Sequence, residues 1–283
     1  MRVVSLLPAA TDIVAALGAT GRLVGISHEC DYPPEILTLP RVTRSTLDAS
    51  LPSGAIDRAM AAANHSGTSP VQLDLDLLRR LAPDLIIGQS LCDVCAVGAT
   101  EVERAVAALD GKPAVVTLHA HDLGGVFADM RRVGEALDLA DEADELVAGL
   151  RYRLRRLGAA HIPHPTPPRL VVLEWLDPPY VAGHWVPELV AAAGGVDVGN
   201  RPGARSEARS WRELAALAPD LVVIACCGFD VARARREYET VIDRDARALF
   251  SGRVEFLDGN AYTSRPGPRL VVAAEWLAAL IRR

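Results

Sequence analysis

The sequence predicts an α/β chain of two Rossmann-like lobes, each a parallel sheet with flanking helices, joined by one long backbone helix. Three observations carry this reading. Short apolar runs alternate with helical periods, the two halves repeat each other, and a segment of purely helical rhythm separates them. Alternation of this kind, with short connections, is the signature of βα units around parallel sheets. At 283 residues the chain exceeds one ordinary hydrophobic core and suits two. The expected boundaries are residues 1–122 for the N-terminal lobe, 123–160 for the linking helix and 161–283 for the C-terminal lobe.

Apolar runs bounded by turn residues predict strands at 2–7, 23–27, 84–87 and 114–118, and in the second half at 169–173, 220–224 and 254–257. Helical periods fill 11–17, 73–81, 101–109, 187–193 and 211–217. The repeat is plain in the letters. RVVSLLPAA (2–10) followed by IVAALG (13–18) parallels RLVVLEW (169–175) followed by LVAAAG (189–194). Later in each half, LLRRLAPDLII (77–87) matches ELAALAPDLVV (213–223), with Pro83 and Pro219 stopping a helix just before a strand. A duplicated lobe is the simplest account. Over 126–157 apolar residues recur every three or four positions, at Val126, Met130, Val133 and Leu137 and again at Leu146, Leu150, Leu154 and Leu157. The polar stretch 138–144 is where this helix would bend or break. About 30 helical residues would span roughly 45 Å, a stiff connector that predicts limited opening and closing.

Composition narrows the partners. Half the residues are hydrophobic, 23% are charged, and the net charge of −6 is spread along the chain. No basic stripe suits a phosphate backbone, so nucleic acid is a poor partner, and no apolar run reaches the ~18 residues needed for membrane insertion. Met1-Arg2 runs straight into the first apolar strand, so a cytoplasmic location is expected, with the periplasm the alternative if a leader has been removed. Five cysteines, an odd count, read as reduced thiols.

In open parallel sheets ligands bind beyond the carboxyl ends of the strands. That rule selects Pro8, Ala9 and Thr11 after the first strand, and Ser27, His28, Glu29, Cys30, Asp31 and Tyr32 after the second. It then selects Gln89, Ser90, Cys92 and Cys95 after the third. The matching exits of the second half carry Glu174, Trp175, His184 and Trp185, then Cys226, Cys227 and Phe229, then Asn260, Tyr262 and Arg265. The expected ligand contacts, in a cleft between the lobes, are Pro8, Ala9, Thr11, His28, Tyr32, Ser90, Trp175, Trp185, Phe229, Tyr262 and Arg265. Thr11 also reads as a helix N-cap. Two of the four tryptophans fall at one lip, where they offer a flat surface to a large planar ligand.

Cys92-Asp93-Val94-Cys95 is the sharpest chemical feature. A CxxC after a strand can be a redox pair, half of a metal site, or two packed thiols. With His28 and Cys30 exiting a strand of the same lobe, a zinc or iron–sulfur site is one reading. The adjacent Cys226 and Cys227 point to opposite faces of a strand and read as packing. No GxSxG elbow, phosphate loop or HExxH is present, so no catalytic constellation stands out. His119 and His121 could serve as acid–base groups or metal ligands.

The opening VVSLLPAAT (3–11), the lip SHECDYP (27–33), and the ending GNAY (259–262) through RPGPRL (265–270) resemble the cobalamin-binding branch of the helical-backbone, or class III, periplasmic substrate-binding proteins of ABC importers. The likeness covers essentially the whole chain, which looks like a leaderless relative. It implies a two-lobe clamp with the corrinoid in the cleft, touched by Tyr32, Trp175, Trp185 and Tyr262. It also implies one acidic residue per lobe, Glu29 and Glu207, docking on arginines of an ABC permease. The expected function is thus a carrier, store or importer component that binds cobalamin or a related corrinoid. The rival is a metal- or iron–sulfur-dependent protein or enzyme built on His28, Cys30, Cys92 and Cys95.

Overall fold

A computed structural model of the chain describes residues 1–66, 69–90, 97–159, 166–241 and 252–283. The chain parts into two compact units. One holds Met1–Ser50, Arg58–Ala120 and Gly124–Ala148, and the other holds Leu51–Asp57, His121–Leu123 and Gly149–Arg283.

In the first unit the strands are β1 (Val3–Ser5), β2 (Leu23–Ile26), β3 (Thr43–Ser45), β4 (Val71–Leu73), β5 (Leu85–Gln89) and β6 (Ala114–Leu118). Four of them form a parallel sheet in the order β2-β1-β5-β6, while β3 and β4 pair antiparallel to each other. Every residue of β1 and β5 is buried, as expected of a sheet with helices on both faces. Its helices are α1 (Pro8–Ala16), α2 (Ser53–Ser66), α3 (Leu75–Leu81) and α4 (Ala99–Ala107). Val4, Leu6, Val42, Leu78, Ile86 and Val102 form the core between the layers.

The sequence places the first helix at 11–17, but it begins at Pro8, whose fixed φ suits the first turn, with extended Leu7 as the N-cap. Thr11 is therefore one turn inside the helix and caps nothing. Its buried hydroxyl instead donates to Ser5 Oγ at 2.8 Å.

In the second unit the strands are β7 (Arg169–Leu176), β8 (Pro179–Val181), β9 (Val196–Asp197), β10 (Glu207–Ala208), β11 (Leu221–Ile224) and β12 (Arg253–Phe256). The order is β10-β8-β7-β11-β12, with β9 alongside the start of β7. Strands β9, β7, β11 and β12 run parallel, β8 runs against β7, and β10 runs against β8. The helices α7 (Val186–Ala192), α8 (Trp211–Ala216), α9 (Val231–Val241) and α10 (Leu270–Ile281) flank this sheet. Val171, Leu173, Leu214, Val222 and Ile224 fill the core on one face.

The duplication survives at atomic detail. Ala82 and Ala218 end α3 and α8 at φ +41° and +45°, a left-handed conformation that costs an alanine about 1 kcal/mol. In each unit the aspartate that follows accepts the backbone N–H opening the first strand. Asp84 Oδ2 takes Arg2 N at 2.6 Å, and Asp220 Oδ2 takes Arg169 N at 2.8 Å. The same arginines then donate to the end of the preceding helix, Arg2 Nε to Leu81 O and Arg169 Nη2 to Leu217 O, both at 2.8 Å.

The single helix expected over 126–157 is two helices, α5 (Leu123–Ala136) and α6 (Ala140–Ala159). Asp138 adopts φ +56° and Leu139 N donates back to Gly134 O at 2.8 Å, closing a Schellman turn. A Cβ on Gly134 would sit 2.4 Å from that of Ala143, so glycine lets the two helices meet at the corner. Among the described residues no helix is long and apolar enough to cross a membrane.

Candidate functional site

At the exit of β2, His28 is fixed by a neighbour 15 residues on. Its backbone N donates to Thr43 Oγ1 at 2.9 Å, and Nδ1 lies 2.7 Å from the same oxygen. Thr43 Oγ1 donates onward to Ser27 Oγ at 3.2 Å, so the network assigns the ring proton to Nδ1 and leaves the Nε2 lone pair as the acceptor. Burial first, and the Arg41 charge second, lower the pKa of His28 and favour the neutral ring. Arg41 also donates to the carbonyls of Ser27 and Cys30, which holds the SHEC turn in shape.

At the exit of β6, His119 Nδ1 lies 2.9 Å from Ser90 Oγ, and both residues are exposed. The backbone N–H groups of His119 and Ala120 both donate to buried Asp129 Oδ2, at 2.8 and 2.9 Å. Tyr32 is 44% exposed, enough to meet a ligand, and Pro8 is half-buried. Ala9 and Thr11 are wall rather than contact. Both are buried, and the Thr11 hydroxyl is engaged with Ser5 and, at 3.1 Å, with Cys30 Sγ.

The second unit presents an aromatic lip. Trp175, at the end of β7, meets Phe229 with ring centroids 5.1 Å apart and planes tilted by 50°. The Arg233 guanidinium lies 3.7 Å over the Phe229 ring and donates to Leu51 O at 3.0 Å. Burial, as the largest cause, lowers the pKa of this arginine, the mark of a partly desolvated cation. Trp175 Nε1 is buried and has no hydrogen-bond partner among the described residues. Beneath them, burial pushes the Cys226 thiol up to about 12, which makes it an inert packing group.

Trp185 is buried and its indole N–H donates to Thr263 O at 2.9 Å, so this tryptophan braces the lip. His184 beside it stacks on the indole at 5.5 Å. Tyr262 lies in a π turn, Gly259–Thr263, under the Arg269 guanidinium at 5.0 Å. Gly259 permits that turn, since a Cβ there would lie 2.2 Å from Cys226 O. Arg265 is buried and donates to Asn260 Oδ1 at 3.0 Å.

Cys92 and Cys95 lie outside the described residues. Among the described residues no three His, Cys, Asp or Glu side chains gather as metal ligands. The Cys30 thiol is buried against Thr11. Glu29 and Glu207 are both exposed, and Glu207 pairs with Arg209 at 3.0 Å.

Three residues of these lips escaped the sequence. Arg233 gave no signal, since helix α9, which carries it to the Phe229 ring, has no clear apolar stripe in the sequence. Thr43 gave no signal, since only the fold brings its short strand to His28. Glu237 accepts both Ser53 N and Ser53 Oγ at 2.6 Å, across 184 residues of chain.

The strand exits thus carry the polar and aromatic groups that the parallel-sheet rule selects. Known proteins agree with this architecture. No relative among curated proteins matches the sequence. Among solved structures the chain is similar to a periplasmic heme binding protein from Pseudomonas aeruginosa, at 22% identity and TM-score 0.74, over 99% of this chain and 92% of that one. It is similar to the periplasmic vitamin B12 binding protein BtuF of Vibrio cholerae, at 19% identity and TM-score 0.70, over 99% and 96%. A possible iron-binding, periplasmic solute-binding protein from Staphylococcus epidermidis matches at 19% identity and TM-score 0.71, over 100% and 98%. These likenesses establish the fold. A family profile described as periplasmic binding protein matches residues 3–250, most of the chain, and on that evidence the chain belongs to the periplasmic binding protein family.

Proposed function

We propose that this chain binds cobalamin or a related corrinoid, as a carrier, store or substrate-binding component of an ABC importer. The observation that carries the reading is Trp175. It packs against Phe229, on which Arg233 stacks, yet its buried indole N–H finds no acceptor among the described residues. An unpaired buried donor costs about 1–3 kcal/mol, and a ligand carrying amide or carboxylate oxygens would supply the missing acceptor. A large macrocycle would cover the half-buried Trp175 at the same time, while Phe229, itself buried, backs it. Two of the similar structures support this class of ligand, since they are described as binding heme and vitamin B12. The corrinoid is chosen over heme on the resemblance of VVSLLPAAT, SHECDYP and GNAY to the cobalamin branch. In an importer, exposed Glu29 and Glu207 would meet the permease.

Equilibrium titration with cobalamin, and separately with heme, tests the proposal through tryptophan fluorescence. One-to-one quenching by cobalamin in the micromolar range or tighter is the expected result. Saturation by heme alone would transfer the proposal to heme, and no response to either would end it.

A further inference from the structure

Two histidines of the second unit lie side by side, His121 just before the linking helices and His184 after β8. His121 and His184 have ring centroids 6.0 Å apart and planes tilted by 33°. His184 takes a left-handed backbone, φ +54°, which is uncommon for a residue with a side chain and needs support from its surroundings. Here its N donates to Ala204 O at 2.6 Å and its carbonyl accepts Gly203 N at 2.9 Å. The turn thus holds the ring in place against Trp185.

The ring held this way is left incomplete. His184 Nδ1 is buried and has no hydrogen-bond partner among the described residues. The His121 ring and the Arg205 charge both lie within electrostatic range of it. His121 is exposed and adjacent. Two imidazoles on one ion, with metal–nitrogen bonds of about 2.0–2.1 Å, place their ring centroids roughly 5 to 6.5 Å apart, from tetrahedral to linear. The observed spacing falls inside that window. Negative charge is also at hand. Asp122 follows His121 in the chain, and Glu188, one turn beyond His184, accepts Leu123 N at 2.7 Å.

We propose that His121 and His184 form a two-imidazole site for a late transition-metal ion, Cu²⁺ or Zn²⁺. Imidazole nitrogen suits these ions, and Cu²⁺ binds the more tightly of the two. No third His, Cys, Asp or Glu completes the set among the described residues, so water fills the other positions. The site is independent of the corrinoid reading.

The test is a titration of the full chain with Cu²⁺ alone, in a Cys92→Ser, Cys95→Ser background that removes competing thiols, followed by electron paramagnetic resonance. One equivalent of Cu²⁺ with micromolar affinity and a two-nitrogen hyperfine pattern is expected. His121→Ala, at an exposed position, should weaken binding at least tenfold and reduce the pattern to one nitrogen. His184→Gln should do the same, and Arg205→Ala should tighten binding a few-fold by removing a nearby positive charge. Unchanged affinity and an unchanged spectrum in His121→Ala would overturn the site, whatever His184→Gln does. No cobalamin is present, so either result leaves the corrinoid proposal standing on its own test.

Discussion

The two units share their foot and differ at their lips. Where the strands begin, both use the same device, an arginine opening the first strand and an aspartate after a left-handed alanine, with bond lengths matching within 0.2 Å, 2.6 against 2.8. Where the strands end, the first unit offers hydroxyls and imidazoles at Ser27, His28, Thr43, Ser90 and His119. The second offers the half-buried Trp175 and Tyr262, backed by buried Phe229 and Trp185. Even the edge beside the central strand differs. In the first unit β2 flanks β1, whereas β7 is flanked first by short β9 and then by β8, its own hairpin partner. That hairpin delivers His184 and Trp185. The two halves thus agree where their strands begin and differ where their strands end, the end at which open parallel sheets place their variable, functional loops.

The sharpest break in this symmetry is Asp197, on the β9 edge, since β2 has no carboxylate. Burial raises its pKa from 3.8 to about 6, although Oδ1 accepts the N–H groups of Gly199 and Asn200. A folded pKa above the unfolded one means the native state binds the proton more tightly. The second unit should therefore lose up to about 3 kcal/mol as pH rises from about 4 to above 6. All four tryptophans belong to that unit, so urea unfolding followed by their fluorescence reads it directly. Asp197→Asn should flatten the pH dependence across this window. A wild-type midpoint independent of pH would mean that the carboxylate is solvated.

The lips come next. Trp175→Ala should weaken cobalamin binding about a hundredfold with the fold intact, because buried aromatic anchors dominate such contacts. Tyr32→Ala, in the more polar lip, should cost only a few-fold. Equal losses would erase the distinction between the lips, and unfolding of Trp175→Ala would make that residue core.

A smaller effect is expected at Glu237, whose removal strands two buried donors of Ser53. Glu237→Ala should lower the stability of the second unit by about 2 kcal/mol without changing ligand stoichiometry. Smallest of all, Asp84→Ala and Asp220→Ala should each cost about 1 kcal/mol. Only Asp220→Ala should move the tryptophan-monitored transition, while Asp84→Ala should appear as faster hydrogen exchange in the first sheet.

Strands β1, β2, β5 and β6 of the first unit and β7, β11 and β12 of the second were legible as short apolar runs bounded by turn residues, whereas β3, β4, β8, β9 and β10 were not, being only two or three residues long. Helix α9 was not, since VARARREYETV buries few apolar side chains, Ala234 among them, and lacks a clear stripe. Helix α10 failed for the opposite reason, being apolar nearly all round and so without periodicity. The break in the linking helix falls in the polar stretch 138–144 that marked it, while the form of the turn was hidden because it depends on Asp138 adopting a left-handed backbone. Of the candidate site, the exits were legible from topology, and the partners that fix them were not, because Thr43 and Glu237 act over distances that only the folded chain closes.

The capping of Ser53 by Glu237 has a consequence for how this gene can be divided. Residues 51–57 belong to the second unit although first-unit sequence flanks them on both sides. A fragment ending at the linking helices would carry α2 without the carboxylate that satisfies its first turn, and the complementary fragment would carry a carboxylate with no donors. The two halves of the chain are therefore not self-contained at this contact.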